Sequence, residues 1–209
     1  MLAIVMLSGC SGDDPVVFMR DNIDNYFPLQ KGDTWYYTFY GADDTLQVVR
    51  LALDEIELNG MNCTPIYENA DLADCWSKNT SGFYVHLIPV RFYPNPIIKF
   101  TTEPPLVIPF DMRSDEPFQF KSYAQRLGGG SGDGFDIEGE LSLSGFVTKT
   151  VPAGTFKNCL ALYYDDGYEP YFEYYAPGVG LLDNGEIILD SAVVGGVKYN
   201  MLGDGLLDY

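Results

Sequence analysis

The sequence has only one histidine and four cysteines among 209 residues, so few side chains are available for catalysis or metal binding. The histidine, His86, stands in a strand-like segment, and no Gly-x-Ser-x-Gly segment marks a hydrolase nucleophile. No Cys-x-x-Cys pair offers zinc ligands. We therefore expect no metal, no cofactor and no enzymatic activity. Carboxylate pairs can be brought together by the fold, which keeps a hydrolase as the third hypothesis.

Positive charge is also scarce. Twelve Lys and Arg stand against thirty Asp and Glu, which gives a formal net charge of −18. Because phosphate backbones repel such a chain, we expect no nucleic-acid partner. Two explanations of the acidic excess stay open: solvated strand faces that keep an aromatic-rich protein soluble, or a surface that attracts cations.

The chain lacks an apolar run long enough to cross a bilayer as a helix, which takes about 20 residues. Residues 1–7 are apolar but short, and Leu7-Ser8-Gly9-Cys10 resembles the lipobox of bacterial lipoproteins. That resemblance implies that Cys10 is acylated, that residues 1–9 are removed as a signal peptide, and that residues 10–25 form a lipidated tether. No Lys or Arg precedes Cys10, which leaves open whether Met1 is the true start.

Ser11 follows the predicted lipidated cysteine. By resemblance to the sorting pattern of enteric bacteria, serine at that position favours the outer membrane. We therefore expect an outer-membrane lipoprotein of the cell envelope, attached to the membrane through its N-terminal lipid. The sequence leaves open which face of that membrane carries it.

No stretch shows a helical period with caps, whereas strand and turn residues abound. The chain has 16 Tyr, 13 Phe and 22 Gly, and dipeptides such as Asn59-Gly60 and Asn184-Gly185 separate β-prone segments. Successive hairpins produce an antiparallel meander that must twist and curl. We predict an all-β fold: a large twisted antiparallel sheet of hairpins, curled into a half-barrel or barrel, over a single domain of residues 26–209.

Residues 89–117 interrupt this pattern, because they contain seven of the thirteen prolines. Proline cannot donate to a β-ladder, so we predict that this segment lies outside the central sheet. It is nevertheless rich in large apolar side chains. Two roles stay open: a plug that caps the core, or the lip of a groove that holds an apolar guest. The candidate groove residues are Phe92, Ile97, Phe100 and Phe110.

Three cysteines remain once Cys10 is assigned to lipidation, and an envelope location permits disulfides. Cys63 and Cys75 flank a stretch that can turn, so a bridge between them across a hairpin is favoured. Pairings that involve Cys159 stay open, although its apolar neighbours suggest a buried thiol.

Two blocks resemble a family of uncharacterised bacterial exported proteins and lipoproteins, sometimes called TapB-like. The first reads YFPLQKGDTWYY over residues 26–37, and the second runs from VPAGTF at 151–156 to YYAPGVG at 174–180. The resemblance implies an envelope protein with a curled antiparallel sheet. It supplies no catalytic residues.

From these observations we predict a lipid-anchored envelope protein with a non-catalytic binding or assembly role. In this hypothesis it holds an apolar ligand in a groove of the sheet. The alternative is a structural or accessory subunit that presents an acidic, Tyr-rich surface to a partner protein. An envelope hydrolase ranks third.

Overall fold

A computed structural model describes residues 25–40, 46–90, 98–130, 132–167 and 169–200, with only the backbone of Val90. All regular structure in these ranges is β-strand. The strands are β1 (Thr34–Phe39), β2 (Leu46–Ala52), β3 (Ile56–Leu58), β4 (Met61–Glu68), β5 (Asp71–Lys78), β6 (Gly82–Val90), β7 (Ile98–Pro109), β8 (Phe118–Arg126), β9 (Gly134–Val151), β10 (Gly154–Asp165), β11 (Tyr171–Ala176), β12 (Gly180–Asp183), β13 (Ile187–Val194) and β14 (Val197–Asn200).

The sheet closes on itself, because β1 pairs with β2 on one side and with β13 on the other. All pairings are antiparallel, and twelve strands form the ring in the order β1-β2-β4-β5-β6-β7-β8-β9-β10-β11-β12-β13. Strand β3 pairs only with β4 and β14 pairs with β13, so both lie outside the ring. The predicted all-β, curled antiparallel sheet is confirmed, and it takes the closed form. Closure leaves no unpaired edge within the ring.

Side chains alternate between the inside and the outside of the barrel. In β1, Trp35, Tyr37 and Phe39 are buried while their neighbours are partly exposed, as the two-residue period of a strand requires. The predicted turn at Asn59-Gly60 is also present, with φ angles of 52° and 78° that suit a tight hairpin. The sequence pattern thus sets both the strand faces and the reversals.

The N-terminal plug, residues 26–29, closes one end of the barrel. Phe27 stacks on Phe83 with ring centroids 4.5 Å apart, and it also contacts Tyr175 at 4.8 Å. The Tyr26 hydroxyl donates a 2.6 Å hydrogen bond to the carbonyl of Asn158. Both plug aromatics are buried. The plug therefore forms a floor of stacked rings at the end where the chain enters the barrel.

The proline-rich segment differs from the prediction. Residues 98–109 form β7, a strand within the barrel wall between β6 and β8, so the expectation that prolines exclude this segment from the sheet is wrong. The physical reason is a wide bulge. The register with β6 jumps from Leu106 opposite Val85 to Thr101 opposite Leu87, and pairing with β8 runs only from Phe100 to Glu103. Pro104 and Pro105 lie in this gap, where no ladder donor is needed.

A disulfide joins Cys63 in β4 to Cys75 in β5, with Cα atoms 5.7 Å apart. The connecting hairpin turns at Asn69 and Ala70, which both have positive φ angles. Leu87 of β6 packs against the bridge in a small separate cluster. Cys159 is a free, buried thiol. The structure thus contains the Cys63–Cys75 bridge, which is the pairing that the sequence favours.

Across the described ranges, the structure contains no helix that is long and apolar enough to span a membrane.

Candidate binding site in the barrel lumen

The barrel encloses a cavity of about 980 Å³, at the upper end of the roughly 300–1,000 Å³ typical of small-molecule sites. The N-terminal plug supplies its floor, and the mouth lies at the opposite end. The mouth residues come from or border the turns β8–β9, β10–β11 and β12–β13: Phe135, Asp136, Asp166, Gly167 and Asn184. The lumen is therefore a blind pocket whose wall is the sheet itself.

The lower wall of the lumen is apolar and aromatic. Phe27 contributes from the plug, Phe83 from β6, Ile108 from β7 and Leu141 from β9, and all four are buried. They belong to one core cluster, so the floor continues directly into the packed interior. This surface suits the apolar part of a ligand, because burial of apolar area against it is favourable.

A buried ion group stands in the wall at Arg50 of β2. Its Nε lies 3.2 Å from Oε2 of Glu68, and its Nη2 lies 3.8 Å from Oδ2 of Asp74. The guanidinium also lies over the Tyr37 ring, 5.8 Å from the centroid. Burial acts to lower the pKa of Arg50, but Asp74 and Glu68 outweigh it and raise that pKa. Arg50 is thus a permanent cation that two carboxylates neutralise.

Glu173 of β11 is a lumen acid whose hydrogen bonds come from neutral groups. The Tyr175 hydroxyl donates a 2.6 Å hydrogen bond to its Oε2, and the Tyr164 hydroxyl donates another. Burial raises the pKa of Glu173, while these two hydrogen bonds oppose that shift without cancelling it. The carboxyl therefore sits in an environment that disfavours its negative charge.

The tyrosines around Glu173 remain protonated. Burial is the largest cause of the raised pKa values of Tyr164, Tyr171 and Tyr175, and the Glu173 charge adds to each shift. Tyr164 and Tyr171 stack with centroids 5.1 Å apart and rings 6° from parallel. These side chains act as neutral hydrogen-bond donors and as aromatic surfaces at any physiological pH.

The lumen as a whole carries an excess of negative charge. Five carboxylates and two cations line it, a formal excess of three negative charges: Asp74, Asp136, Glu138, Asp166 and Glu173 against Arg50 and Lys121. Lys121 is itself paired with Glu138 at 3.2 Å near the mouth. A cleft with low-dielectric walls focuses such a field, so the lumen attracts cations.

Two of the four predicted groove residues, Phe100 and Phe110, lie in the described part of the chain, and neither is among the lumen-lining residues. Phe92 and Ile97 lie outside the described residues. Phe110 is buried in the core beside Phe27, with ring centroids 6.4 Å apart, because β7 delivers it to the closed end. Phe100 is half-buried and packs edge-on against Phe135, 5.1 Å away, at the mouth end. The groove of these four residues therefore stays a prediction, whereas the proline-rich segment contributes Leu106, Val107 and Ile108 of β7 to the lumen.

One contact in the structure bears on the hydrolase hypothesis. Oγ of Ser77 lies 2.7 Å from Nε2 of His86, which is nucleophile-to-base spacing. However, neither residue lines the lumen, and among the described residues Nδ1 of His86 has no hydrogen-bond partner to orient the ring. Burial also lowers the pKa of His86. Within the described part of the chain, the pair therefore lacks the acid that would complete a triad.

Within the described ranges, no group of three or more His, Cys, Asp or Glu side chains is arranged to hold a metal ion.

Sequence reasoning missed the inward-pointing charges and the plug. A signal existed for the charges, since Arg50 stands between Val48 and Ala52 on one face of β2, and both of those are buried. A charged residue on an apolar strand face indicates a lined cavity or a buried ion pair. The plug carried a weaker signal, the aromatic pair Tyr26-Phe27 immediately before the first strand.

No protein-family model matches the chain, and no curated protein matches it significantly. The family resemblance of the two sequence blocks therefore stays a prediction. Two solved structures are similar in their arrangement of secondary structure. One is described as a "putative lipoprotein" from Parabacteroides distasonis, with 14% identity, a TM-score of 0.42, and coverage of 83% of this chain and 94% of that one. The other is described as a "putative exported protein with YmcC-like fold" from Bacteroides fragilis, with 13% identity, a TM-score of 0.41, and coverage of 80% and 98%.

Proposed function

We propose that this protein is a lipid-anchored, non-catalytic binding protein of the bacterial cell envelope that holds an apolar or amphiphilic small molecule in its barrel lumen. The observation that carries the proposal is the blind cavity of about 980 Å³, with its aromatic floor and its polar groups at few, defined positions.

The anchor part of the proposal rests on Cys10 and on the outer-membrane preference of Ser11. The first described residue, Asn25, accepts a hydrogen bond from the Gly178 amide at the closed end of the barrel. A tether that ends there leaves the mouth at the opposite end free for ligand entry.

Binding is tested with decanol as a neutral amphiphile and titration calorimetry as the readout. The unmodified protein is expected to bind, and Val85→Trp is expected to lose binding, because Val85 lines the lumen and the added indole fills it. The matched control is Val197→Trp on β14, where Val197 is 52% exposed outside the ring, and it should bind normally. Equal binding by both variants would refute a lumen site. It would favour the alternative, a structural or accessory subunit that binds a partner protein.

Anchoring is tested by replacing the acylated thiol. Cys10→Ser should shift the protein from the membrane fraction to the soluble fraction, whereas Ser8→Ala keeps a small residue in the lipobox and should leave it membrane-bound. Mass spectrometry of the mature N-terminus checks the acylation directly. Unchanged fractionation of the Cys10→Ser variant would contradict the anchor.

A further inference from the structure

Among the described residues, no cation pairs directly with the Glu173 carboxylate in the lumen. Glu173 accepts its hydrogen bonds from the hydroxyls of Tyr164 and Tyr175, which are neutral donors. Arg50 acts on it only through the longer-range field. Glu173 is partly buried, and even partial burial of a carboxylate without a paired cation is costly, so its place in the cavity wall favours a ligand that supplies the opposite charge.

Arg50 does not offer an equivalent site for an anion. Its guanidinium is already engaged by Glu68 at 3.2 Å and Asp74 at 3.8 Å, and both carboxylates are buried with it. An anionic ligand would have to compete with two fixed carboxylates and enter a mouth that carries Asp136 and Asp166. The lumen charges therefore discriminate against anions and in favour of cations.

The rings near Glu173 suit an organic cation better than a bare metal ion. Tyr171 and Tyr164 form a stacked pair beside the carboxyl, and Trp76 contributes a further aromatic face to the lumen. Aromatic faces attract ammonium groups through their quadrupole, most strongly where the cation is desolvated. Phe83 and Ile108 extend the apolar surface toward the floor.

We propose that the lumen is selective for a cationic amphiphile, whose ammonium or other organic cationic head group pairs with Glu173 among the lumen tyrosines and whose apolar tail packs on the aromatic floor. This inference rests on the proposed function, since it names the chemical class that the same lumen binds.

The test compares three ligands with the same alkyl chain on the unmodified protein at pH 7: decyltrimethylammonium, decanol and decanoate. The chain has two tryptophans, Trp35 and Trp76, and both line the lumen, so intrinsic fluorescence reports occupancy. We expect affinity to fall in the order cation, alcohol, carboxylate, with the cation at least tenfold tighter than the carboxylate.

Glu173→Gln isolates the proposed charge contact, and Glu57→Gln is its matched control. Glu57 is exposed on β3 outside the ring, so both variants change the net charge equally. Glu173→Gln should weaken decyltrimethylammonium by about ten- to a hundredfold relative to decanol, because the neutral amide offers the quaternary ammonium no opposite charge. Glu57→Gln should leave both affinities unchanged.

The outcomes separate the two proposals. Equal or tighter binding of decanoate, with decanol still bound, would overturn the cation selectivity and leave the proposed binding function intact. Failure of all three ligands to bind would overturn both. An equal loss of cation affinity in both variants would assign the effect to net charge and overturn the role of Glu173. The ligand series uses the unmodified chain, so it decides the question even if E173Q perturbs the fold.

Discussion

The indole Nε1 of Trp35 donates a 2.6 Å hydrogen bond to the carbonyl oxygen of Val179, 144 residues further along the chain. This contact joins the two sequence blocks that resemble the exported-protein family. The Tyr37 hydroxyl makes a second such link to the carbonyl of Leu181 at 3.0 Å. Gly180 lies between these two acceptors with a φ of 97°, a conformation that favours glycine, and a β-carbon at this position would lie 3.4 Å from Cδ of Pro28 in the plug. Residues of both blocks therefore dock the plug and the first strand on the segment that leads into β12.

The Trp35 contact predicts a measurable loss of stability. Trp35→Phe keeps an aromatic ring but removes the indole donor, which leaves the buried carbonyl of Val179 without that hydrogen bond. We expect the free energy of unfolding to fall by about 1–3 kcal/mol. Denaturant unfolding measures it, with Tyr40→Phe as the control, since Tyr40 is 60% exposed. A change below the error of the control would contradict the structural role of this contact.

The packing of Phe27 in the plug predicts a larger loss of stability when this side chain is truncated. Its ring is buried between Phe83 and Tyr175, so Phe27→Ala should cost about 3–5 kcal/mol, as for other buried phenylalanines. The control is Phe172→Ala on the exposed face of β11, where the ring is 42% exposed. The loss there should stay below about 1.5 kcal/mol, the value of an exposed aromatic pair. Equal losses would show that the plug is not part of the folded core.

The disulfide predicts a stability difference between oxidised and reduced protein. Cys63 and Cys75 close a 13-residue loop, for which the chain-entropy estimate is about 3 kcal/mol. The double variant Cys63→Ser, Cys75→Ser should therefore unfold at lower denaturant concentration. Non-reducing peptide mapping identifies the linked peptides. Alkylation of both thiols without reductant would rule the bridge out, and Cys159 serves as the internal free-thiol reference.

The raised pKa of Glu173 predicts that replacing this residue by glutamine stabilises the protein in a pH-dependent way. Burial raises the folded-state pKa of Glu173 above its ordinary value of 4.5. The native state therefore favours the protonated carboxyl, and the stability that this preference contributes is present at low pH and is lost as pH rises through the raised pKa. Glu173→Gln keeps an acceptor for the tyrosine hydroxyls but carries no charge. It should be more stable than the unmodified protein at neutral pH.

This advantage should disappear below pH 4.5, where the carboxyl is protonated in both states. The charged and titratable groups that act on Glu173 come from five strands: Tyr37, Arg50, Asp74, Tyr164, Tyr171 and Tyr175. Thermal unfolding of both proteins between pH 4 and 8 measures the difference. A constant difference across that range would contradict a partly buried carboxyl that titrates in it. Retention of a destabilising acid is consistent with a role in ligand binding.

Much of the fold follows from local patterns. The alternation in β1 and the turn residues at Asn59-Gly60 and Asn184-Gly185 predict strands and reversals that the structure contains. The error in the proline-rich segment is physical in origin. A proline cannot donate within a ladder, but Pro104 and Pro105 occupy a bulge where the ladder is already interrupted. The rule that proline cannot donate to a ladder therefore applies to each proline position. It does not exclude the whole segment from the sheet.

Less of the lumen site could be predicted from the sequence. Arg50, Asp74 and Glu173 lie on three strands, β2, β5 and β11, that are distant in the chain. Each is recognisable only as a charge on a partly apolar strand. Their common cavity depends on the curvature and closure of the whole sheet. Of the four candidate groove residues, Phe100 contacts Phe135 and Phe110 contacts Phe27, contacts that the sequence does not reveal.

The sequence alone determined the all-β class, the hairpin order and the favoured disulfide pairing, because each depends on residues that are near one another in the chain. The lipid anchor at Cys10 stays a prediction. Only the tertiary structure decided that the sheet closes, since closure requires β1 to pair with β13 across some 150 residues. It also decided that the plug seals one end and that acidic and aromatic side chains face one lumen. Those features depend on strand tilt, bulges and register, which accumulate around the ring and are encoded in no single segment.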